Sequence, residues 1–274
     1  MVTVVVDIHL ERTARLNYRE YHSPEYAHAC IETMWSFRPE KLAKYLVLPD
    51  ARVDLLARFH VGPNDAVSHI RLIVAGPAMR SSLVPAAPHN GFLGVRFRPG
   101  WGAICLGLNP QMLRDVTLLH EEVYAALGRL AIPLVQAKNI SELRQNLLNT
   151  AYTLASSILL DSRFARTANA ISLLQARDGK CSVEALAQEV GVSVRTLHRD
   201  IVAMTGLSAK SLGALFRFQR AMRILRLAPS HNLAMLAAEA GYSDQSHMTR
   251  DFLRFGGFTP AFRPDVAVIN VPRA

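Results

Sequence analysis

Two stretches, LAQEVGVSVRTLHRDIVAMTGLSA (Leu186–Ala209) and LAAEAGYSDQSHMTRDFLRFGGFTP (Leu236–Pro260), are versions of one pattern. Leu-Ala-x-Glu-x-Gly recurs at an offset of 50, from Leu186 to Leu236 and from Gly191 to Gly241. Past the turn the offset is 51: Arg199-Asp200 matches Arg250-Asp251, and Gly206-Leu-Ser-Ala matches Gly257-Phe-Thr-Pro. One extra residue therefore sits in the second turn. A solenoid needs at least about three repeats, so two copies read as one small supersecondary unit used twice.

Each copy reads as helix, turn, helix. Ser182 stands where an N-cap belongs, ahead of Val183, Leu186, Ala187 and Val190 at i, i+3, i+4, i+7. Gly191 ends that helix, because glycine tolerates the left-handed backbone of a helix terminus. Ser193 caps the next helix, whose apolar stripe is Leu197, Ile201 and Met204. In the second copy the cap is Asn232, and Leu233, Leu236, Ala237 and Ala240 lead to Gly241. Asp244 then caps a helix with Met248, Phe252 and Phe255 facing inward. The pattern predicts two helix-turn-helix units.

At 100° per residue, Arg195, His198, Arg199 and Val202 point away from Leu197 and Ile201. The offset carries these to Ser246, Thr249 and Arg250, with Gln245 opposite Val194. A recognition helix meets base edges with its N-terminal residues. Gln suits adenine, Arg suits guanine, and Ser or Thr suits several edges. The candidate base-reading residues are thus Val194, Arg195, His198, Arg199, Gln245, Ser246, Thr249 and Arg250. One solvated helix face would mean little; two copies sharing caps, stripe and arginine mean more. Ser246 beside His247 is not a hydrolase pair, since Ser246 is a helix-face residue and His247 adjoins the inward Met248. Between the copies, Lys210–Ser230 reads as a connecting helix that Pro229 stops. Its stripe is Leu215, Phe218, Ala221, Met222 and Leu225. Arg217, Arg220, Arg223 and Arg226 recur every three residues, to touch phosphate or to pair within the chain.

LFRFQRAMRIL followed by LAAEAGYSDQSHMTRDFLRFGGFTPAFR resembles the DNA-binding domain of the AraC/XylS transcription regulators. Gly241, Asp244, Gln245, Ser246, His247, Arg250, Phe252, Gly257, Thr259 and Pro260 stand where the family signature has them. Tyr242 and Met248 depart mildly from its Phe positions, Ala209 replaces a usual Pro, and Phe262-Arg263 follows Pro260 one residue early. The resemblance covers about residues 170–264. It implies two recognition helices entering successive major grooves of double-stranded DNA. It also implies that the eight outward residues read bases and that the chain is a transcription regulator rather than an enzyme. Asp200 and Asp251 are expected to pair within the domain. RNA polymerase, a small-molecule effector of unidentified kind and a second copy of the chain are the other partners the family admits.

The first half is read from its strands. RVDLLARFHV and HIRLIVAGP are β-branched and apolar between Gly, Pro and Asp. GFLGVRFRPGWGAICLGL alternates at Leu93, Val95 and Phe97, then turns at Pro-Gly into a short helix. SPEYAHACIETMWSF predicts a helix leading into a strand that carries Trp35. Asn139–Leu160 predicts an amphipathic helix, with Asn139 and Glu142 as a capping pair and Leu143, Leu147, Ala151, Leu154 and Ile158 on one stripe. That helix packs on its own barrel or on a partner chain. The fold class is α+β: a mostly-β domain over 1–135, cupin-like or a sandwich, with helices. The amphipathic helix and a linker follow over 136–168, the linker being Asp161–Ala168. An all-α DNA-binding domain fills 169–274. LPD (Leu48–Asp50) with GVRFRPG (Gly94–Gly100) resembles a poorly characterised sensor-like N-terminal domain of one branch of the same regulators; in the wider family this half binds an effector or mediates dimerisation.

Composition narrows the alternatives. The formal charge is +9, and residues 170–274 carry 13 Lys/Arg against 8 Asp/Glu. Cys30, Cys105 and Cys181 are odd in number and form no CxxC pair, which predicts neither disulfides nor a zinc site. His120-Glu121 begins an HExxH pattern that fails at Tyr124, and no GxSxG occurs. No metal and no cofactor are expected. No targeting signal or apolar run of about 20 residues is seen, so no membrane partner and a cytoplasmic location are expected. The alternative is an enzyme with a DNA-binding domain, either a DNA-repair alkyltransferase or a metal-free barrel enzyme. None of the cysteines has the Pro-Cys-His setting such an alkyltransferase would want. Trp35, Phe59, Phe92, Phe97 and Trp101 either line an apolar pocket or form core.

Overall fold

The computed structural model describes residues 2–5, 17–22, 29–159, 161–228, 232–261 and 267–269. The strands are β1 (Val2–Val5), β2 (Asn17–His22), β3 (Ile31–Arg38), β4 (Ala43–Val47), β5 (Val53–Val61), β6 (Val67–Ala75), β7 (Ser82–Ala86), β8 (Asn90–Phe97), β9 (Thr117–Leu118) and β10 (Ala267–Ile269). Seven form one antiparallel sheet in the order β1-β2-β3-β8-β5-β6-β9. The other three form a small sheet, β10-β4-β7. Among the described residues no pairing joins β1 to β9, and the domain is mostly β, in two sheets.

β8 sits centrally, paired to β3 and β5, and all eight of its residues are buried. Leu93, Val95 and Phe97 face the main core beneath the helices. Phe92 faces the other way, into a cluster with Tyr18, Trp35, Phe37 and Tyr45. Phe37 stacks edge-on to Tyr45 at 4.9 Å, across the gap between the two sheets. Gly94 is required by this packing, since a Cβ there would lie 2.7 Å from the Trp35 ring. Ile31–Met34 are strand rather than the expected helix, and residues 23–28 of that segment lie outside the described residues. Pairing on both sides, with β-branched and aromatic residues, overrides the local helical pattern.

A buried ion network joins the two N-terminal motifs. Arg96 donates to Asp54 at 2.9 and 3.1 Å, and Trp35 Nε1 donates to the same carboxylate at 3.0 Å. Asp50 lies 3.6 Å from Arg96. Burial pushes the Asp54 carboxyl up, while Arg96 pulls it down. Breaking one partner of such a pair strands the other in a low-dielectric site.

Helices α1 (Gly102–Cys105), α2 (Pro110–Leu113), α3 (His120–Leu127), α4 (Ala131–Gln136) and α5 (Ile140–Ser156) follow the sheet. α5 packs on its own sheet through Leu143, Leu147 and Ala151. Asn139 accepts from Glu142 N, but Glu142 accepts from Lys138 N, so the capping pair is shifted by one residue. The expected linker at 161–168 is instead the start of α6 (Ser162–Ala176), capped by Asp161. Then come α7 (Val183–Glu189), α8 (Val194–Thr205), α9 (Ala209–Leu227), α10 (Leu233–Ala240) and α11 (Gln245–Asp251). Beyond them β10 returns to pair in parallel with β4, so the C-terminal segment is not wholly helical. No helix among the described residues is long and apolar enough to cross a membrane.

One hydrophobic core runs through both halves. α2 packs on the C-terminal end of α8. Ser81 donates from N to Phe255 O at 2.8 Å and from Oγ to Gly256 O at 2.7 Å. Gln219 Nε2 donates to Pro49 O at 3.0 Å. The sheet domain thus holds both helix-turn-helix units and the helix between them.

Candidate nucleic-acid interface

The caps fall where the residues predict. Ser182 accepts from Ala185 N, Ser193 from Thr196 N, Asn232 from Ala234 N and Met235 N, and Asp244 from His247 N. Gly191, Gly206, Gly241 and Gly257 all have φ between +73° and +89°, so the repeat extends to the backbone. Leu197, Ile201 and Met204 are buried under α8, and Met248, Phe252 and Phe255 under the second copy. The copies differ at their ends. In the first, Gly206 N donates to Val202 O; in the second, Gly257 N reaches Phe252 O through a π-turn at Phe252–Gly256.

The opposite face of α8 presents Val194, Arg195, His198 and Arg199 to solvent. Arg199 is partly committed, its Nε donating to Asp200 Oδ1 at 3.1 Å. On α11, Gln245, Ser246 and Arg250 are exposed. Thr249 is a partial exception: it is half-buried and its hydroxyl donates to Gln245 O at 2.9 Å. Its remaining offer to a ligand is a methyl group and oxygen lone pairs. His247 lies edge-on to Tyr242 at 5.1 Å and shares a hydrogen bond with Ser243, a packing role. The backbone N–H of His247, with the Ser243 hydroxyl and nearby Arg250, holds the Asp244 carboxyl below its ordinary range.

Both conserved-in-repeat acids turn inward. Asp200 is 3% exposed and accepts from Arg163 at 2.9 Å, Arg166 at 3.5 Å and Arg199. Arg163 and Arg166 lie on α6, in the stretch expected to be linker, and they extend the basic surface beside α8. Their i, i+3 spacing was the available signal. Asp251 is buried near Tyr242, and burial pushes its carboxyl up although His247, Arg217 and Arg254 pull it down. The arginines of α9 are mostly paired within the chain: Arg217 to Gly179 O, Arg220 to Asp178 and Glu239 O, Arg223 to Asp178. Pro229 and Phe262-Arg263 lie outside the described residues.

Little of the enzyme alternative gains support. Cys30 and Cys105 meet in the core, 2% and 4% exposed, and their shared hydrogen bond pushes the Cys105 thiol up. The same bond lowers the Cys30 thiol, so only Cys105 is made a poor nucleophile. His60, His69 and His89 stack their rings at 4.7 and 4.9 Å, yet the described residues hold no group of three donors arranged for a metal. Trp35, Phe59, Phe92, Phe97 and Trp101 are all core, and Trp101 also lines a cleft.

Two capped helix-turn-helix units on a shared connecting helix define a double helix-turn-helix domain. Residues 186–262 match the family described as "Helix-turn-helix domain", and residues 19–118 match a domain of unknown function, DUF6597. Residues 186–262 therefore form a helix-turn-helix domain, as the two repeats predict. The HTH-type transcriptional regulator VirS of Mycobacterium tuberculosis (strain CDC 1551 / Oshkosh) is 38% identical over 82 residues, 30% of this chain and 24% of VirS. The same figures hold for VirS of strain ATCC 25618 / H37Rv, so the chain spans about a quarter of the length of these curated relatives. Solved structures of ToxT from Vibrio cholerae are also similar. That of strain O395 has a TM-score of 0.41 at 13% identity, covering 83% of this chain and 95% of ToxT. A 1.65 Å structure of the P21 form has a TM-score of 0.43 at 14% identity, covering 85% and 97%.

Proposed function

We propose that the chain is a sequence-specific DNA-binding transcription regulator and not an enzyme. In this reading α8 and α11 enter adjacent major grooves, and Val194, Arg195, His198, Arg199, Gln245, Ser246, Thr249 and Arg250 meet base edges. The N-terminal domain, about residues 1–135, serves effector binding or self-association. One observation carries the reading: in both copies a capped helix buries one stripe and leaves a polar N-terminal face open. Arg163 and Arg166 then approach phosphate, because three guanidinium groups surround one carboxylate at Asp200. Such contacts position a domain without reading sequence. The test is Arg250→Ala on a selected site, in a gel or filter assay at matched salt. A loss of about 1–3 kcal/mol is expected. Unchanged affinity would remove α11 as a reader.

A further inference from the structure

Two of the three cysteines, far apart in the sequence, meet where the sheet carries α1. Ile31 of β3 pairs with Phe97 of β8, and Phe97 pairs with Val53 of β5. Gly102, the first residue of α1, lies directly on that row. An added Cβ there would come within 2.4 Å of Val53 Cβ and 3.1 Å of Phe97 Cβ. Cys30 stands just before the row, its carbonyl accepting from Arg98 N at 2.8 Å. Cys105 closes α1, its N–H donating to Trp101 O at 2.9 Å. The two thiols are hydrogen-bonded to each other within the main core.

The two sulfurs differ in character. The hydrogen bond from Cys105 lowers the Cys30 thiol, and Arg98 lowers it further against the effect of burial. The same bond and burial push the Cys105 thiol up. A sulfur that leans to thiolate, touching one that stays protonated, is the arrangement of an attacking and a resolving cysteine. We propose that Cys30 and Cys105 form a reversible disulfide when the chain meets a hydroperoxide. The Cys30 thiolate attacks the peroxide: an S–O bond forms, the O–O bond breaks, and water or an alcohol leaves with the thiol's proton. Once Cys30 is a neutral sulfenic acid, its charge no longer opposes ionisation of Cys105. The Cys105 sulfur then attacks the Cys30 sulfur, the S–O bond breaks, and hydroxide leaves as water with the Cys105 proton. The dithiol gives up two electrons and two protons, and the hydroperoxide takes them up.

The crosslink bears on the first recognition helix. α1 touches α8 and α2, and α2 packs on the end of α8. A Cβ added at Gly100, just ahead of α1, would lie 3.1 Å from Met204 Cγ of α8. Tying Cys105 to the start of β3 fixes that bearing surface against the sheet.

The test treats the full chain with hydrogen peroxide, without DNA, so its outcome is independent of the DNA reading. Cys181→Ser removes the third, half-exposed thiol. In that background both remaining thiols should disappear together, with the mass at monomer size lower by two hydrogens. Peptide mapping should find Cys30 joined to Cys105, and dithiothreitol should restore both thiols. With Cys105→Ala added, dimedone should trap a sulfenic acid at Cys30; with Cys30→Ala added, Cys105 should stay a thiol at the same dose. Amide exchange in the oxidised chain should slow across residues 102–113 and at the C-terminal end of α8. Thiols that survive the peroxide, or that pass to sulfinic acid with no crosslink, would overturn the disulfide, and the peptide map of the Cys181→Ser chain decides this even where an alanine variant fails to fold. A dimedone adduct at Cys105 in the Cys30→Ala chain would overturn the order of attack. Unchanged exchange at α8 would overturn the link to the recognition helix.

Discussion

Replacing Gly206 with alanine tests how the sheet domain grips the first recognition helix. Gly206 ends α8 at φ +73°, a left-handed backbone that costs an alanine roughly 1–2 kcal/mol. A Cβ there would also lie 2.3 Å from Pro110 O, 2.8 Å from Pro110 C and 3.2 Å from Gln111 Cα. Carbon contacts are comfortable at about 3.5 Å, so α2 or the end of α8 must move by about 1 Å. The obstructing atoms are mostly backbone, and no rotamer change relieves them. Overpacking of that kind adds about 1–3 kcal/mol, for a total of roughly 2–5 kcal/mol. Gly191 is the control: it has the same φ of +73°, yet an added Cβ would meet nothing within 4 Å. Gly191→Ala should cost the backbone strain alone, roughly 1–2 kcal/mol. Urea unfolding of both variants, followed by circular dichroism, gives the comparison, and hydrogen exchange at residues 110–113 locates the disturbance. Equal costs within about 0.5 kcal/mol, the usual range for a neutral surface change, would refute the packing of α2 on α8.

Ser193→Ala removes the cap of α8 and should lower stability by about 1 kcal/mol; an unfolding curve that superimposes on the parent's would contradict the cap. Asp251→Asn carries a pH signature. The Asp251 carboxyl is held above its unfolded value. Its contribution to stability is therefore present below the unfolded value of about 4 and lost as pH rises through the folded value. The variant should be at least as stable as the parent at pH 7 and should lose that advantage at acid pH. A stability deficit at pH 7 that closes on acidification would show the opposite shift.

The helical half was readable because its signals are local. Ser193, Gly191 and the Leu197–Ile201–Met204 stripe each act within a few residues of themselves, at the helical period. Its copy at Asp244, Gly241 and Met248–Phe252–Phe255 made the reading redundant. The sheet half was readable only strand by strand. Register and layer depend on partners far along the chain, as when Arg96 meets Asp54 across 42 positions and β10 reaches back to β4. The start of α6 is not legible locally because its polar residues answer Asp200, 34 and 37 positions away, and not each other. Thr249 looked outward by helical angle, but a bond to Gln245 O draws its hydroxyl back. The cleft beside Trp101 could not be read at all. Arg98, Trp101, Arg220 and Arg223 come from two distant segments, and only the packing of α9 against the sheet domain makes them neighbours.

The account stands on two reading helices in one chain. Chemical interference footprinting of the purified protein on a selected duplex measures this directly. A single chain should show two major-groove contact patches on one face of the DNA, about 34–36 Å or 10–10.5 base pairs apart. Substitutions on α8 should erase one patch and those on α11 the other. A single patch per chain, or two that vanish together whichever helix is changed, would contradict it.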